Sequence, residues 1–203
     1  MSLDFISIPP ETGQVPAGLI VILHGWGANA QDVASLASVL NLPNYQFLLP
    51  NAPFLHPQVP EGRMWYDLER EDYKGLTQSQ EMLTEWLQSL ENLTDIPLAS
   101  TILCGFSQGG AMTLDVGLTL PLAGLVCLSG YLHRTPQELE PPLPSVLIVH
   151  GKHDNVVPLS AAQRVRDHLM GLGTPMQYKE FEMGHEILPD VLEIIREFIL
   201  VNL

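Results

Sequence analysis

The chain has 203 residues, enough for one substantial core and too few for two comfortable domains, so residues 1–203 are read as a single domain. Apolar residues make up 46% of it and charged residues only 16%, which excludes a disordered chain. A formal net charge of −14 with nine Lys and Arg excludes nucleic acid and argues against electrostatic docking to an anionic membrane.

In chain order, residues 3–8 are expected as an antiparallel edge strand. A buried strand follows at 18–24, where Leu19-Ile20-Val21-Ile22-Leu23 is apolar throughout, as strands covered on both faces are. A helix is predicted at 30–40, a strand at 45–50 and a helix at 77–93, where Leu83, Trp86, Leu87 and Leu90 recur at helical spacing. Strand 101–106, helix 107–120, strands 123–129 and 146–150, helix 159–172, strand 176–182 and helix 187–201 complete the series. Strands alternating with helices predict an α/β fold, a mostly parallel central sheet with helices on both faces. Two long connections interrupt it, 54–75 and 132–144; long loops at the C-terminal ends of strands are where such folds bind ligands.

No apolar run is long enough to span a bilayer, so no stable membrane insertion is expected. The first residues, Met1 to Phe5, lack a basic region followed by an apolar stretch, and no signal peptide is expected. Cys104 and Cys127 both lie in apolar strand-like runs. Two buried thiols suit a reducing compartment, and a cytoplasmic location is expected.

The sharpest signal is Gly105-Phe106-Ser107-Gln108-Gly109-Gly110, between an apolar strand and a helical run. A strand that reverses sharply into a helix holds its serine in a strained conformation, and flanking glycines let the two segments pass without a Cβ clash. This is the nucleophile elbow of the α/β-hydrolase fold, with the hydroxyl raised above the sheet at a helix N-terminus. A serine hydroxyl needs a base, itself oriented by an acid, and in this fold the order is Ser, acid, His. Asp154 lies in the turn after strand 146–150, and His185 follows the last strand. Ser107, Asp154 and His185 are therefore the expected triad.

Other histidines fit the role less well. His168 is mid-helix, His56 lies in a loop before the elbow, His150 reads as a core residue, and His153 adjoins Asp154 and diverges from it. A metal reading of His150, His153 and Asp154 fails because the segment is strand-to-turn and does not align two imidazoles as a helix would. His24-Gly25-Trp26-Gly27 ends the first buried strand. Main-chain N–H groups of Trp26 and Gln108 are expected to form the oxyanion hole, with His24 shaping the loop by hydrogen bonding.

Leu23-His24-Gly25-Trp26-Gly27, Pro50-Asn51-Ala52-Pro53, Trp65-Tyr66-Asp67, the elbow hexapeptide, Leu128-Ser129-Gly130 and the run from Gly151 to Pro158 resemble the phospholipase/carboxylesterase family. That family includes acyl-protein thioesterases and small bacterial carboxylesterases, and the resemblance runs in order from about Leu19 to Phe198. It implies the same triad and oxyanion donors, and neither a metal nor an organic cofactor. It also implies a small-molecule ester or thioester, or an acylated protein, as substrate, and several members form homodimers. One departure is Trp26, at a position where leucine is usual.

Phe54, Leu55, Met64, Trp65 and Tyr66, from the 54–75 loop, are read as the wall of a pocket for an apolar acyl group. Trp65 reads equally well as a residue that packs the loop down. Ester or thioester hydrolysis through an acyl-enzyme is the expected function. A lysophospholipase or peptidase on the same scaffold, and a catalytically silent ligand-binding protein, stay open as alternatives.

Overall fold

A computed structural model describes residues 3–140 and 143–203, so Met1, Ser2 and two prolines of the 132–144 connection lie outside the described residues. Its strands are β1 (Phe5–Ile8), β2 (Leu19–Leu23), β3 (Gln46–Pro50), β4 (Phe54–Leu55), β5 (Arg63–Met64), β6 (Thr101–Phe106), β7 (Gly124–Leu128), β8 (Ser145–Gly151) and β9 (Met176–Phe181). The α-helices are α1 (Ala30–Val33), α2 (Ser35–Val39), α3 (Leu76–Thr94), α4 (Gln108–Gly117), α5 (Leu159–Gly171) and α6 (Pro189–Asn202). Seven strands form one sheet in the order β1-β3-β2-β6-β7-β8-β9, and β1 alone in it runs antiparallel.

Alternation along each strand sorts the apolar residues into two layers. From β2, Leu19, Val21 and Leu23 pack with Leu83, Trp86, Leu87 and Leu90 of α3 and with Met112 and Leu114 of α4. Its intervening Ile20 and Ile22 join Ala30 of α1, Ala37 of α2, and Val191, Ile195 and Phe198 of α6 on the other face. Helices therefore cover both faces, as the doubly apolar strands require.

Because β2, β6, β8 and β9 run the same way, their C-terminal ends open onto one edge of the sheet. The segments after them hold His24-Gly25-Trp26, Ser107, Asp154 and His185 respectively.

Several boundaries differ from expectation; α4 ends at Gly117, short of the expected 120, and three other differences have a local cause. The helix expected at 30–40 is two short ones, with Ala34 and Ala37 N–H groups bonded three residues back to the Gln31 and Ala34 carbonyls. The first is closed by a capping box of Asn29 and Asp32. The 54–75 loop contains a hairpin, β4 with β5, whose two-residue strands are too short to show a period. The last helix starts at Pro189, two residues later than expected, because proline is pre-set for the first helical position.

Leu87 is fully buried between α3 and the sheet. Leu87→Ala should cost about 2–5 kcal/mol, read as a lower urea midpoint at unchanged slope.

Candidate active site

Ser107 adopts φ 55° and ψ −116°, a conformation rarely open to a residue with a side chain. Close approach explains the glycines around it. A Cβ on Gly105 would collide with the Gly109 carbonyl, and one on Gly109 would strike the carbonyls of Leu23 and His24. The Ser107 N–H donates to the Leu128 carbonyl at 2.8 Å, which ties the turn to the neighbouring end of β7. Gln108 is the first residue of α4, so its N–H belongs to the unpaired donors of a helix start.

Asp154 and His185 come together across the ends of β8 and β9. His185 Nδ1 lies 2.7 Å from Asp154 Oδ2, and the other carboxylate oxygen accepts the N–H groups of Val156 (2.9 Å) and Val157 (2.8 Å). The Asp154 side chain is fully buried and that of His185 is 17% exposed, so the acid is enclosed while the imidazole reaches the surface. Burial pushes the Asp154 carboxyl up, but hydrogen bonds from His185, Val157 and Val156 outweigh it and leave its pKa below the usual 3.8. Gly151 makes the approach possible, since a Cβ there would meet the carbonyls of Met183 and Gly184. The His185 ring lies 4.8 Å from the ring of Phe106, the residue before the serine. The three expected residues thus converge on one edge of the sheet.

The Trp26 loop is held from two sides. Gly27 N–H donates to Arg63 O (2.9 Å) and Arg63 N–H to Ala28 O (2.8 Å), so the hairpin missed in the sequence pins this loop. The buried His24 ring accepts the Ala52 N–H at Nε2 (3.0 Å), which leaves Nδ1 to donate to the Gly25 carbonyl at 2.8 Å. Burial lowers the His24 pKa, consistent with a neutral, structural imidazole. The Trp26 indole packs edge-on against His56 at 4.3 Å.

Two of the five expected pocket residues need correction. Trp65 and Tyr66 expose none of their surface and belong to the core beneath α3 and α4. The Trp65 indole N–H donates to the His24 carbonyl at 3.1 Å, and the Tyr66 and Tyr131 hydroxyls are 2.7 Å apart. Their polar groups hold the loop down, which leaves no face for an acyl chain. Phe54 and Met64 are half-buried and Leu55 is 65% exposed, so these three keep surface to offer.

What the sequence did not reveal is the Gln108 side chain. It is fully buried, accepting the Trp65 N–H (2.8 Å) and donating to the Tyr66 carbonyl (2.8 Å). The residue whose main chain is the candidate oxyanion donor is thereby fastened through its side chain to the 65–66 segment. Ser79 closes the same junction by donating its hydroxyl to the Trp65 carbonyl.

The sequence profile of the phospholipase/carboxylesterase family matches residues 10–203. This chain belongs to that family. It is 30% identical to acyl-protein thioesterase 1 of Gibberella zeae, over 87% of this chain and 83% of that one. Among solved structures it is similar to esterase PE8, with a TM-score of 0.90, 32% identity and full coverage of both chains. The carboxylesterase of Bacillus cereus, at 16% identity and TM-score 0.85, covers 99% of this chain and 95% of its own, and shares the fold.

Within this family member the remaining histidines have other partners. His153 is exposed and meets Glu182 at 2.9 Å. His150 is buried with Nε2 donating to the Val157 carbonyl at 2.8 Å, which steadies the Asp154 turn from behind. His168 donates to the Pro136 carbonyl at 2.6 Å, and His56 accepts the N–H groups of Gln58 and Val59. Among the described residues no cluster of three His, Cys, Asp or Glu could hold a metal.

Gln108→Ala would strand the Trp65 N–H and the Tyr66 carbonyl, each at about 1–3 kcal/mol. Denaturant titration should show a loss in that range or above, and an unchanged midpoint would remove Gln108 from this role. Asp154 should also leave a mark on acid stability. A carboxyl with a depressed folded pKa stabilises the protein above pH 3.8, and the contribution disappears as pH falls through the folded value. The stability gap between wild type and Asp154→Asn should therefore be full near pH 6 and should close below pH 3.8.

Proposed function

We propose that this chain, as a single domain, hydrolyses carboxylic esters or thioesters with apolar acyl groups, using Ser107, Asp154 and His185. The observation that carries the reading is the strained Ser107 at the head of α4, with the Asp154–His185 pair at 2.7 Å packed against its neighbour Phe106. The 2.7 Å bond to Asp154 directs His185 Nδ1 toward the acid and leaves Nε2 to take the serine proton. Ser107 Oγ then attacks the carbonyl carbon, and N–H groups of Trp26 and Gln108 receive the charge that develops on oxygen. The tetrahedral intermediate collapses as His185 returns the proton to the leaving alkoxide or thiolate. Water, deprotonated by the same imidazole, releases the acid from the acyl-enzyme.

Phe54, Leu55 and Met64 carry apolar surface on the β4–β5 hairpin, which is bonded to the Trp26 loop between Gly27 and Arg63. They are the proposed acyl-contact residues. Substrates of this class span small molecules and acylated proteins. Both thiols are buried, and burial pushes each up to about 12, which suits a reducing cytoplasm.

A p-nitrophenyl ester series of increasing acyl length, with an acyl thioester alongside, tests the assignment. Ser107→Ala should lower kcat by a factor on the order of 10⁶, and Asp154→Asn by on the order of 10⁴. Near wild-type turnover in Ser107→Ala would sink the reading.

A further inference from the structure

The Trp26 loop and the β4–β5 hairpin also meet at one ring. His56, only 8% exposed, follows β4 in the loop of that hairpin. Its Nδ1 accepts the Gln58 N–H at 3.1 Å and the Val59 N–H at 3.0 Å. Its own N–H donates to the Gly62 carbonyl at 2.8 Å, so side chain and main chain together fix the ring. With Nδ1 an acceptor, the neutral imidazole carries its proton on Nε2. A Cβ on Gly27 would lie 3.6 Å from His56 Cδ2 and 3.8 Å from Nε2, so that edge of the ring faces the Trp26 loop.

The imidazole and the Trp26 indole have centroids 4.3 Å apart and planes at 66°. Neither His56 Nε2 nor Trp26 Nε1 has a hydrogen-bond partner among the described residues, although both atoms are buried. Two desolvated donors are costly to hold side by side. No polar bond orients either ring at this contact, so aromatic packing sets how the indole lies.

The Trp26 N–H is one end of the 25–26 peptide. At the other end, the Gly25 carbonyl accepts from His24 Nδ1 at 2.8 Å. Because the peptide is planar and trans, its N–H direction is tied to that of the carbonyl. Gly25 has no side chain to restrain this plane. On the Trp26 side the restraints are the hairpin bonds at Gly27 and Ala28 and the packed indole.

We propose that His56 is a positioning residue for ester hydrolysis, its fixed ring seating the Trp26 indole and so aiming the Trp26 N–H at the developing oxyanion. It acts through Trp26 and not as a wall of the acyl pocket. This role rests on the reading of Ser107 as nucleophile and of the Trp26 N–H as oxyanion donor. A pocket wall acts on KM, whereas a residue that aims an oxyanion donor acts on the transition state alone.

His56→Asn separates the two attachments of the ring. An asparagine oxygen accepts N–H groups a few residues ahead, which keeps the turn but brings no ring to the indole. On a p-nitrophenyl ester this variant should lower kcat and kcat/KM alike, by about ten- to a hundredfold, with KM unchanged. Inhibition by a trifluoromethyl ketone, whose tetrahedral adduct carries an oxyanion, should weaken by the same factor. Trp26→Ala should lose as much, and the double variant no more than either single one. His56→Phe, which returns a ring to the indole, should recover kcat relative to His56→Asn.

A raised KM at unchanged kcat, undiminished ketone inhibition, losses that add in the double variant, or wild-type kcat in Trp26→Ala would each overturn the proposal. Trp26→Ala leaves the hairpin turn intact, so it decides the matter even where His56→Asn does not fold. Turnover that survives Ser107→Ala would instead overturn the hydrolase reading itself.

Discussion

The edge that carries Ser107, Asp154 and His185 depends on one close approach, that of β6, α4 and the end of β2 around Ser107. Gly105 and Gly109 sit where any Cβ would meet main-chain carbonyls, and only this contact lets the strand reverse into the helix with Ser107 at φ 55°. The strained backbone is held by the Ser107 N–H bond to Leu128 and by the burial of α4, which is enclosed along most of its length. Strain of this kind persists only where the surroundings over-determine it. Here the surroundings are a parallel sheet with apolar layers on both faces.

From that point the order spreads outward through polar groups that have no alternative partner. The Gln108 amide fastens the 65–66 segment, the Trp65 indole reaches the His24 carbonyl, and the His24 ring receives Ala52. Each is buried, so a broken bond would leave a desolvated donor or acceptor. The loop carrying the Trp26 N–H is thus positioned by the same network that seats Ser107. In the proposed reaction, donors fixed in this way would stabilise a developing oxyanion without reorganising.

The Asp154–His185 pair follows a similar logic along the same edge, at the ends of β8 and β9. Three hydrogen bonds to a buried carboxylate overcome the cost of enclosing its charge. His150, read from sequence as a core residue, stands behind that turn, 3.5 Å from the carboxylate. On the far flank of α4, Asp115 and His133 form a second acid–imidazole pair without a nucleophile. What distinguishes His185 from His133 is its place beside Phe106, next to Ser107.

Sequence by itself determined the α/β class, the strand series of the main sheet, the sharp turn at Ser107 and the placing of Asp154 and His185 after the strands that follow it. Those features rest on local patterns: doubly apolar strands, helical spacing, and glycines where chains must pass. It could not decide the fate of Trp65 and Tyr66, because an aromatic looks the same whether it lines a pocket or packs beneath a loop. It did not disclose the β4–β5 hairpin, whose strands are shorter than any period, or the Gln108 clamp, whose partners lie more than 40 positions away in the chain. Local propensity writes the elements, and burial of long-range polar partners decides which surfaces they leave open.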